Sequence, residues 1–191
     1  MLAKGHHFPN VTLVGMLNAD HGLYSSDFRA SERMGQLILQ VAGRAGREEK
    51  EGEVLIQTHH PDHLLFQPLL NHDYPGFAKT LIEERQQTEL PPFTHLALLR
   101  AEAVDQQSPM IFLEQARLLL EQTPQDDVLM MGPFPALMER RAGRYRAQLL
   151  IQATNRKQLQ TLFALSIILI ENHKTAKKVR WSIDIDPMDL M

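Results

Sequence analysis

The stretch Gln40-Val41-Ala42-Gly43-Arg44-Ala45-Gly46-Arg47 decides how the first part of the chain folds, because it joins a predicted helix to a predicted strand. Its two arginines, Arg44 and Arg47, each follow a glycine. Arginine grips phosphate oxygens through two parallel hydrogen bonds, and glycine lets the backbone approach a ligand closely. The pair therefore suits the γ-phosphate of a nucleotide, where arginine stabilises the charge that develops during transfer. A basic turn after a helix explains the motif equally well.

On either side of this stretch the sequence predicts a β-α-β unit. A mostly apolar strand covers residues 11–17, a helix with apolar residues at helical spacing covers 27–41, and a second strand covers 52–58. Strand, helix and strand at this spacing favour a parallel sheet. The polar loop Asn18-Ala19-Asp20 follows the first strand, at the sheet edge where open α/β folds bind their ligands. We therefore expect Asp20 to contribute to a ligand site.

The composition is that of an ordinary globular protein. The 191 residues are 43% hydrophobic and 23% charged, and the net charge is −3. The sequence contains no cysteine, which excludes disulfides and cysteine-ligated zinc within this chain. The longest apolar run, residues 162–170, is too short to span a bilayer, so we expect no membrane contact. Because the net charge is negative, nucleic acid can be bound only through local basic patches.

The second half of the sequence predicts a β-α-β repeat. Strands are expected over residues 94–103, 128–131, 145–153 and 179–185, with helices over 108–122 and 155–172. Two such halves suggest a ferredoxin-like α+β domain, with helices on a four-stranded antiparallel sheet. Before them, a helix over 77–87 places Phe77, Leu81 and Ile82 on one side, and a turn with two prolines ends it. The expected domains are residues 1–72, a linker at 73–92, and a C-terminal DNA- or partner-binding domain at 93–191.

Two basic clusters stand out in this second half. The first is a predicted loop over residues 139–146, with Arg140, Arg141, Arg144, Tyr145 and Arg146. The second covers residues 174–181 and includes Lys177, Lys178, Arg180 and Trp181. Arginines beside aromatic side chains suit single-stranded or branched nucleic acid, where phosphates are neutralised and bases stack. A solvated hairpin and a lysine run near a helix end explain the same residues.

Histidines are concentrated in the first half, where seven of the nine precede Asp73. His59, His60 and His63 have a spacing that can ligate zinc, although a closed site needs four ligands. No neighbouring carboxylate or thiol arrangement completes such a site. We therefore expect turn and surface histidines with no bound metal, and a small metal-binding protein remains a third functional option.

Several of these segments together resemble a known family. Ala3-Lys4-Gly5-His6-His7-Phe8-Pro9-Asn10-Val11, the Asn18-Ala19-Asp20 loop and residues 40–47 are similar to motifs V and VI of superfamily-two helicases. More narrowly they resemble the primosomal replication-restart helicases. The similarity continues through residues 52–54, 57–61, 84–85 and 90–93 to Asp184-Ile185-Asp186-Pro187, and so covers nearly the whole chain.

The resemblance implies an α/β fold in two parts: the end of a RecA-like helicase lobe 2, with motifs V and VI in residues 1–72, and the ferredoxin-like C-terminal domain. It implies the C-terminal portion of an ATP-dependent 3′-5′ DNA helicase that recognises and remodels stalled replication forks and initiates primosome assembly. This sequence has no phosphate loop, no Asp-Glu pair for Mg²⁺ and no cysteine-rich zinc insertion. ATP and Mg²⁺ would therefore bind mainly to a first lobe that is missing here, and we expect the isolated chain to be inactive.

The resemblance also assigns roles to individual residues. Arg47 would be the arginine finger, with Arg44 beside it and Gln40 supporting their contact with ATP. The nucleotide cleft would further involve Lys4, Gly5, Gly43 and Asp20, and His6 would help couple that cleft to the DNA backbone. For Lys4 taken alone, a solvated surface lysine is the simpler explanation.

The implied partners are forked and single-stranded DNA, the single-stranded DNA-binding protein and other primosome proteins, in the bacterial cytoplasm at the nucleoid. Arg156 and Gln160 lie one helical turn apart on the predicted exposed side of the last helix. They are candidates to capture the C-terminal carboxylate of the single-stranded DNA-binding protein. A plain solvated helix face explains them as well. The alternative for the whole chain is a non-catalytic DNA- or protein-binding module with a vestigial arginine motif.

Overall fold

The computed structural model describes residues 12–42, 53–123, 127–188 and 190. The chain divides into two compact units, Met1–Thr88 and Glu89–Met191. In the described ranges, no helix combines the length and the apolar character that crossing a membrane requires.

The first unit contains the predicted β-α-β arrangement. Strand β1 (Leu13–Met16) pairs in parallel with β2 (Glu53–Ile56), and helix α2 (Ala30–Ala42) lies between them in the chain. The other helices of this unit are α1 (Asp20–Leu23), α3 (Phe66–Leu70) and α4 (Tyr74–Gln87). The parallel pairing confirms the sequence prediction, and the assignment to a RecA-like lobe remains a prediction.

Helix α4, which falls in the predicted linker, packs into the core of the first unit. Phe77 and Leu81 are buried against side chains of α2 and α3. Gly35 of α2 makes this approach possible, because a Cβ atom at this position would lie 2.2 Å from the Phe77 ring. The sequence suggested that Ile82 shares this buried side, but the Ile82 side chain is 48% exposed. One residue beyond Leu81, it has turned away from the core by the rotation of the helix.

The second unit has the element order β-α-β-β-α-β. Its strands are β3 (His95–Ala103), β4 (Val128–Arg141), β5 (Arg144–Ala153) and β6 (Arg180–Ile185). Helices α5 (Ser108–Glu121) and α6 (Arg156–Asn172) follow β3 and β5, and a short 3-10 helix (Ala176–Lys178) precedes β6. The sheet order is β4-β5-β3-β6 with antiparallel pairing throughout. This element order and the four-stranded antiparallel sheet agree with the sequence prediction.

The sheet of the second unit has one face covered by helices and one face turned away from them. Successive side chains of a strand point to opposite faces. On the helix side, Leu99 of β3 and Leu149 of β5 are fully buried against α5 and α6. The alternate residues of these strands lie on the opposite side, here named the open face. Leu96 and Leu98 are buried on this side and the Gln148 side chain donates to the Leu190 carbonyl, whereas Arg100 and Glu102 are only partly buried.

Strand β4 is much longer than the sequence predicted, and the predicted loop over residues 139–146 is a β-hairpin. The strand continues to Arg141 through two register shifts, one between Met131 and Phe134 and one between Pro135 and Arg140. Ala142 and Gly143 then turn the chain with positive φ values of 49° and 79°. Positive φ at both central residues is typical of a tight two-residue hairpin. The arginines of this segment are therefore held on paired strands.

Candidate nucleic-acid interface

The β4–β5 hairpin fixes the first basic cluster in a defined register. Arg140 is opposite Tyr145, and Arg141 is opposite Arg144. The Arg140 guanidinium lies over the Tyr145 ring, 5.2 Å from its centroid, at a distance typical of a cation–π contact. The aromatic residue predicted to stack on a base is thus already paired with an arginine on one side.

Three neighbouring strands place arginines together on the open face. Arg144 and Arg146 come from β5, Arg100 from β3 and Arg180 from β6. The register sets Glu102 of β3 opposite both Arg146 and Arg180. A shallow cavity of about 270 Å³ lies here, and its lining includes Arg100, Glu102, Arg146, Gln148, Arg180 and Ser182. The sequence drew attention to the hairpin arginines, whereas Arg100 went unnoticed because it stands alone in an apolar strand.

Two carboxylates partly neutralise this surface. Arg100 donates to Asp184 at 2.6 Å. Glu102 Oε1 lies 3.8 Å from Arg144 Nε and 4.0 Å from Arg180 Nη1, beyond hydrogen-bonding distance. Among the residues that the structure describes, these four arginines outnumber the two carboxylates paired with them. The side chains of Arg100, Arg144 and Arg180 are 26%, 28% and 72% exposed, so an anion can pair with them while it stays in contact with water.

The second basic cluster contributes Arg180 to the open face, but its aromatic residue lies on the other side of the sheet. Lys177 and Lys178 are exposed at the end of the 3-10 helix, directly before β6. Trp181, however, is turned to the helix side and packs against Phe112, with ring centroids 5.7 Å apart. The expectation that Trp181 stacks on a base is wrong, because strand alternation directs its ring into the core.

Arg156 and Gln160 are both exposed on the first turns of α6, as predicted. Asn155 precedes them as the N-cap and forms a reciprocal capping box with Gln158. The capping box stabilises the start of α6, from which the Arg156 and Gln160 side chains project. Their role in capturing a partner remains a prediction.

In the first unit, Asp20 joins the ends of the two parallel strands. Its carboxylate accepts hydrogen bonds from Thr58 Oγ1 at 2.5 Å and from the His59 backbone N–H at 3.0 Å. These two bonds, the Thr58 bond first, lower the pKa of Asp20 below its ordinary value of 3.8. Gln40 is exposed near the end of α2. The remaining predicted nucleotide and helicase-motif residues lie outside the described residues: Lys4, Gly5, His6, Gly43, Arg44 and Arg47.

The histidines after β2 make local contacts within their turn. The His60 ring meets Tyr24 edge-on, with centroids 5.1 Å apart, and His63 Nδ1 accepts from the Leu65 backbone N–H. Over the part of the chain that the structure describes, no group of three or more potential ligands could hold a metal ion.

Comparison with known proteins places the chain in a family. The model of the primosomal protein N C-terminal domain matches residues 86–188. Among curated relatives, the replication restart protein PriA of Haemophilus influenzae is 46% identical over 190 residues, which cover 100% of this chain and 26% of that protein. The PriA protein of Bacillus subtilis is 37% identical over 100% of this chain and 24% of its own length.

The chain thus spans about a quarter of the length of the curated relatives it matches. Among solved structures, the de novo designed protein Foldit4 covers 50% of this chain with a TM-score of 0.38 and 9% identity. The family match, in contrast, includes every strand and helix from β3 to β6. This chain therefore belongs to the primosomal protein N family, the family of the replication restart proteins PriA.

Proposed function

We propose that this chain is the C-terminal portion of an ATP-dependent 3′-5′ DNA helicase that remodels stalled forks and initiates primosome assembly, and that its second unit binds fork DNA. One observation carries the DNA-binding part of this proposal. The open face gathers Arg100, Arg144, Arg146 and Arg180 from three strands, in a chain whose net charge is −3. A local cluster of arginines in a chain with a negative net charge is typical of an anion-binding surface.

The spacing of these arginines suits a polyanion better than a single phosphate. Neighbouring strands lie about 4.8 Å apart, so Arg146 on β5 and Arg180 on β6, with β3 between them, are separated by roughly 10 Å. Nucleic acid presents several phosphates over this distance. Arg141, opposite Arg144, extends the open face, whereas Arg140 shares the helix side of the sheet with Tyr145. Lys177 and Lys178 are exposed directly before β6. Forked and single-stranded DNA are the proposed ligands.

Binding of labelled forked and single-stranded DNA to the 191-residue chain, followed by fluorescence anisotropy over a salt series, tests this interface. Affinity should fall steeply with salt, because binding releases counterions from the phosphates. Arg146→Gln should weaken binding severalfold and reduce the slope of log K against log salt by about one. Lys79→Gln, an equal loss of charge at an exposed side chain of α4, is the matched control and should change little. Absence of binding at low salt would remove the DNA-binding proposal.

The first unit is proposed to contribute to a nucleotide cleft. In the intact protein, Arg44 and Arg47, supported by Gln40, would face ATP and Mg²⁺ held mainly by another lobe. Lys4, Gly5, Gly43 and Asp20 would complete this side of the cleft, with His6 toward the DNA. The pure chain should show no DNA-stimulated ATP hydrolysis, and measurable turnover would contradict this. In a full-length protein, Arg47→Ala should abolish turnover and leave DNA binding largely intact.

A protein partner is proposed at α6. Arg156 and Gln160 are exposed and one turn apart, and arginine binds a terminal carboxylate through paired hydrogen bonds. The C-terminal tail of the single-stranded DNA-binding protein is the proposed occupant, with other primosome proteins as further partners at the bacterial nucleoid. A tail peptide with a free carboxylate should bind, and both its amidated form and Arg156→Ala should bind more weakly. Equal binding of the two peptides would reject the carboxylate contact.

A non-catalytic DNA-binding module is the second candidate function, since the arginine surface is formed wholly by strands of the second unit. A phosphate loop and an Asp-Glu box upstream in the same reading frame would favour the helicase. Their absence from that reading frame would favour the module. Zinc is expected only in a cysteine-rich insertion that this sequence does not contain.

A further inference from the structure

Glu102 occupies the centre of the arginine surface on the open face. Its strand, β3, runs between β5 and β6, and the register places it opposite Arg146 on one side and Arg180 on the other. Its Oε1 atom lies 3.8 Å from Arg144 Nε and 4.0 Å from Arg180 Nη1. One carboxylate thus attracts arginines from two different strands.

These ion pairs are loose. Both distances exceed hydrogen-bonding range, the Glu102 side chain is 36% exposed, and that of Arg180 is 72% exposed. Exposed pairs of this kind contribute little, because water and salt screen them. A phosphate group can instead accept two parallel hydrogen bonds from a guanidinium, which is a stronger arrangement. Phosphate and Glu102 would therefore compete for the same arginines, and phosphate has the geometric advantage.

We propose that Glu102 is a built-in competitor for the phosphates of nucleic acid, which lowers the affinity of the open face until DNA draws Arg144 and Arg180 away from it. The inference rests on the proposed DNA interface and deepens it by naming the residue that sets its strength. In the free protein the Glu102 carboxylate takes the place of a phosphate and holds Arg144 and Arg180 near each other by ion pairing. In the complex it faces the backbone of the DNA and repels it, which favours release.

The test compares two variants that lose the same charge. Glu102→Gln should tighten binding of a labelled single strand at low salt by about three- to tenfold, the combined effect of two exposed ion pairs. Glu114→Gln is the control, because Glu114 is exposed on α5, on the helix side of the sheet. It should change affinity by less than about twofold, since screening weakens interactions beyond about a Debye length. Equal tightening by both variants, or no tightening by Glu102→Gln, would overturn the inference.

A double-mutant cycle separates competition from a general effect on folding. In the Arg180→Gln background, Glu102→Gln should give a clearly smaller gain than in the wild type, because one of its two partners is gone. An undiminished gain would overturn the inference. Should Glu102→Gln fail to fold by circular dichroism, Glu102→Asp takes its place. This variant keeps the negative charge, but its shorter side chain places the carboxylate farther from the arginines, so DNA binding should tighten. Unchanged or weaker binding would count against the competitor role.

The outcomes also distinguish this inference from the proposal on which it rests. Failure of the wild-type chain to bind DNA at low salt would overturn both. Normal wild-type binding that weakens in Arg146→Gln but does not tighten in Glu102→Gln would overturn the role of Glu102 alone.

Discussion

At the scale of single residues, the hydrogen bonds of Asp20 have a consequence that depends on pH. Thr58 and His59 donate to its ionised form, so the pKa of Asp20 in the folded state lies below its ordinary value of 3.8. A carboxylate with a lowered pKa stabilises the fold above its unfolded-state pKa. That contribution is lost as the pH falls from about 4 through the lower folded-state pKa. The link between the ends of β1 and β2 should therefore weaken only under acid conditions.

Replacing Thr58 by valine tests the cause of this shift. Thr58→Val removes the largest contribution, so the pKa of Asp20 should rise toward 3.8 in a carbon-detected NMR titration of the carboxyl group. Thr80→Val is the matched control, because the Thr80 hydroxyl donates to the Gly76 carbonyl within α4. An unchanged Asp20 titration in Thr58→Val would show that the hydroxyl is not responsible.

Gly35 supports a second prediction at this scale. A methyl group at this position would lie 2.2 Å from the Phe77 ring, which is fully buried and cannot swing aside. Gly35→Ala should lower the free energy of unfolding of the first unit by roughly 1–3 kcal/mol, despite the better helix propensity of alanine. Chemical denaturation measures this. Gly15→Ala, at a glycine with no atom within 4 Å of the added Cβ, is the control. Stabilisation by Gly35→Ala would contradict the close approach of α2 and α4.

At the scale of secondary-structure elements, the start of α6 is fixed by its capping box. The Asn155 side chain accepts from the Gln158 backbone N–H at 3.0 Å, and the Gln158 side chain accepts from the Asn155 backbone N–H at 3.0 Å. Asn155→Ala should lower the free energy of unfolding by about 1 kcal/mol, the usual effect of losing an N-cap. Thermal unfolding checks this, with exposed Lys157→Ala as the control on the same turn. A difference below a few tenths of a kcal/mol would show that the cap is unimportant.

The elements also show where reasoning from sequence succeeds. The predicted ends of β3, β5 and α5 lie within one residue of the observed ends. The apolar residues of a buried strand or helix follow the geometric period of that element, so the sequence shows them directly. Strand β4 was mostly missed. Gly132, Pro133 and Pro135 interrupt its pattern, and the strand continues only because register shifts accommodate them. Local sequence carries no signal for pairing with a neighbouring strand.

The candidate site was predictable to the extent that it is local in sequence. The hairpin arginines stand within seven residues, so they form a visible cluster. Arg100 and its partner Asp184 are 84 residues apart, and only the antiparallel pairing of β3 with β6 brings them together. The position of Glu102 between two arginines is likewise a product of register. Charge patterns across a sheet therefore need the strand order before they can be recognised.

At the scale of the whole molecule, the second unit has a core of its own. Every buried member of its main hydrophobic cluster lies between Ala97 and Ala176, and both helices pack on the same sheet. A protein of residues 89–191 should therefore fold alone, with a cooperative thermal transition and dispersed amide signals in its NMR spectrum. It should also retain most of the affinity for single-stranded DNA. A collapsed state without fixed side-chain signals would contradict this expectation.

The irregular course of β4 also limits how this protein can associate with other molecules. β4 forms one edge of the sheet, carries Pro133 and Pro135, and shifts register twice. Proline has no N–H group to donate, and an irregular edge is a poor template for an added strand. The opposite edge, β6, pairs regularly with β3 over six residues and has no proline. Extension of this sheet should therefore pair β6 with β6 and stop at a dimer, with β4 at both ends of the joined sheet.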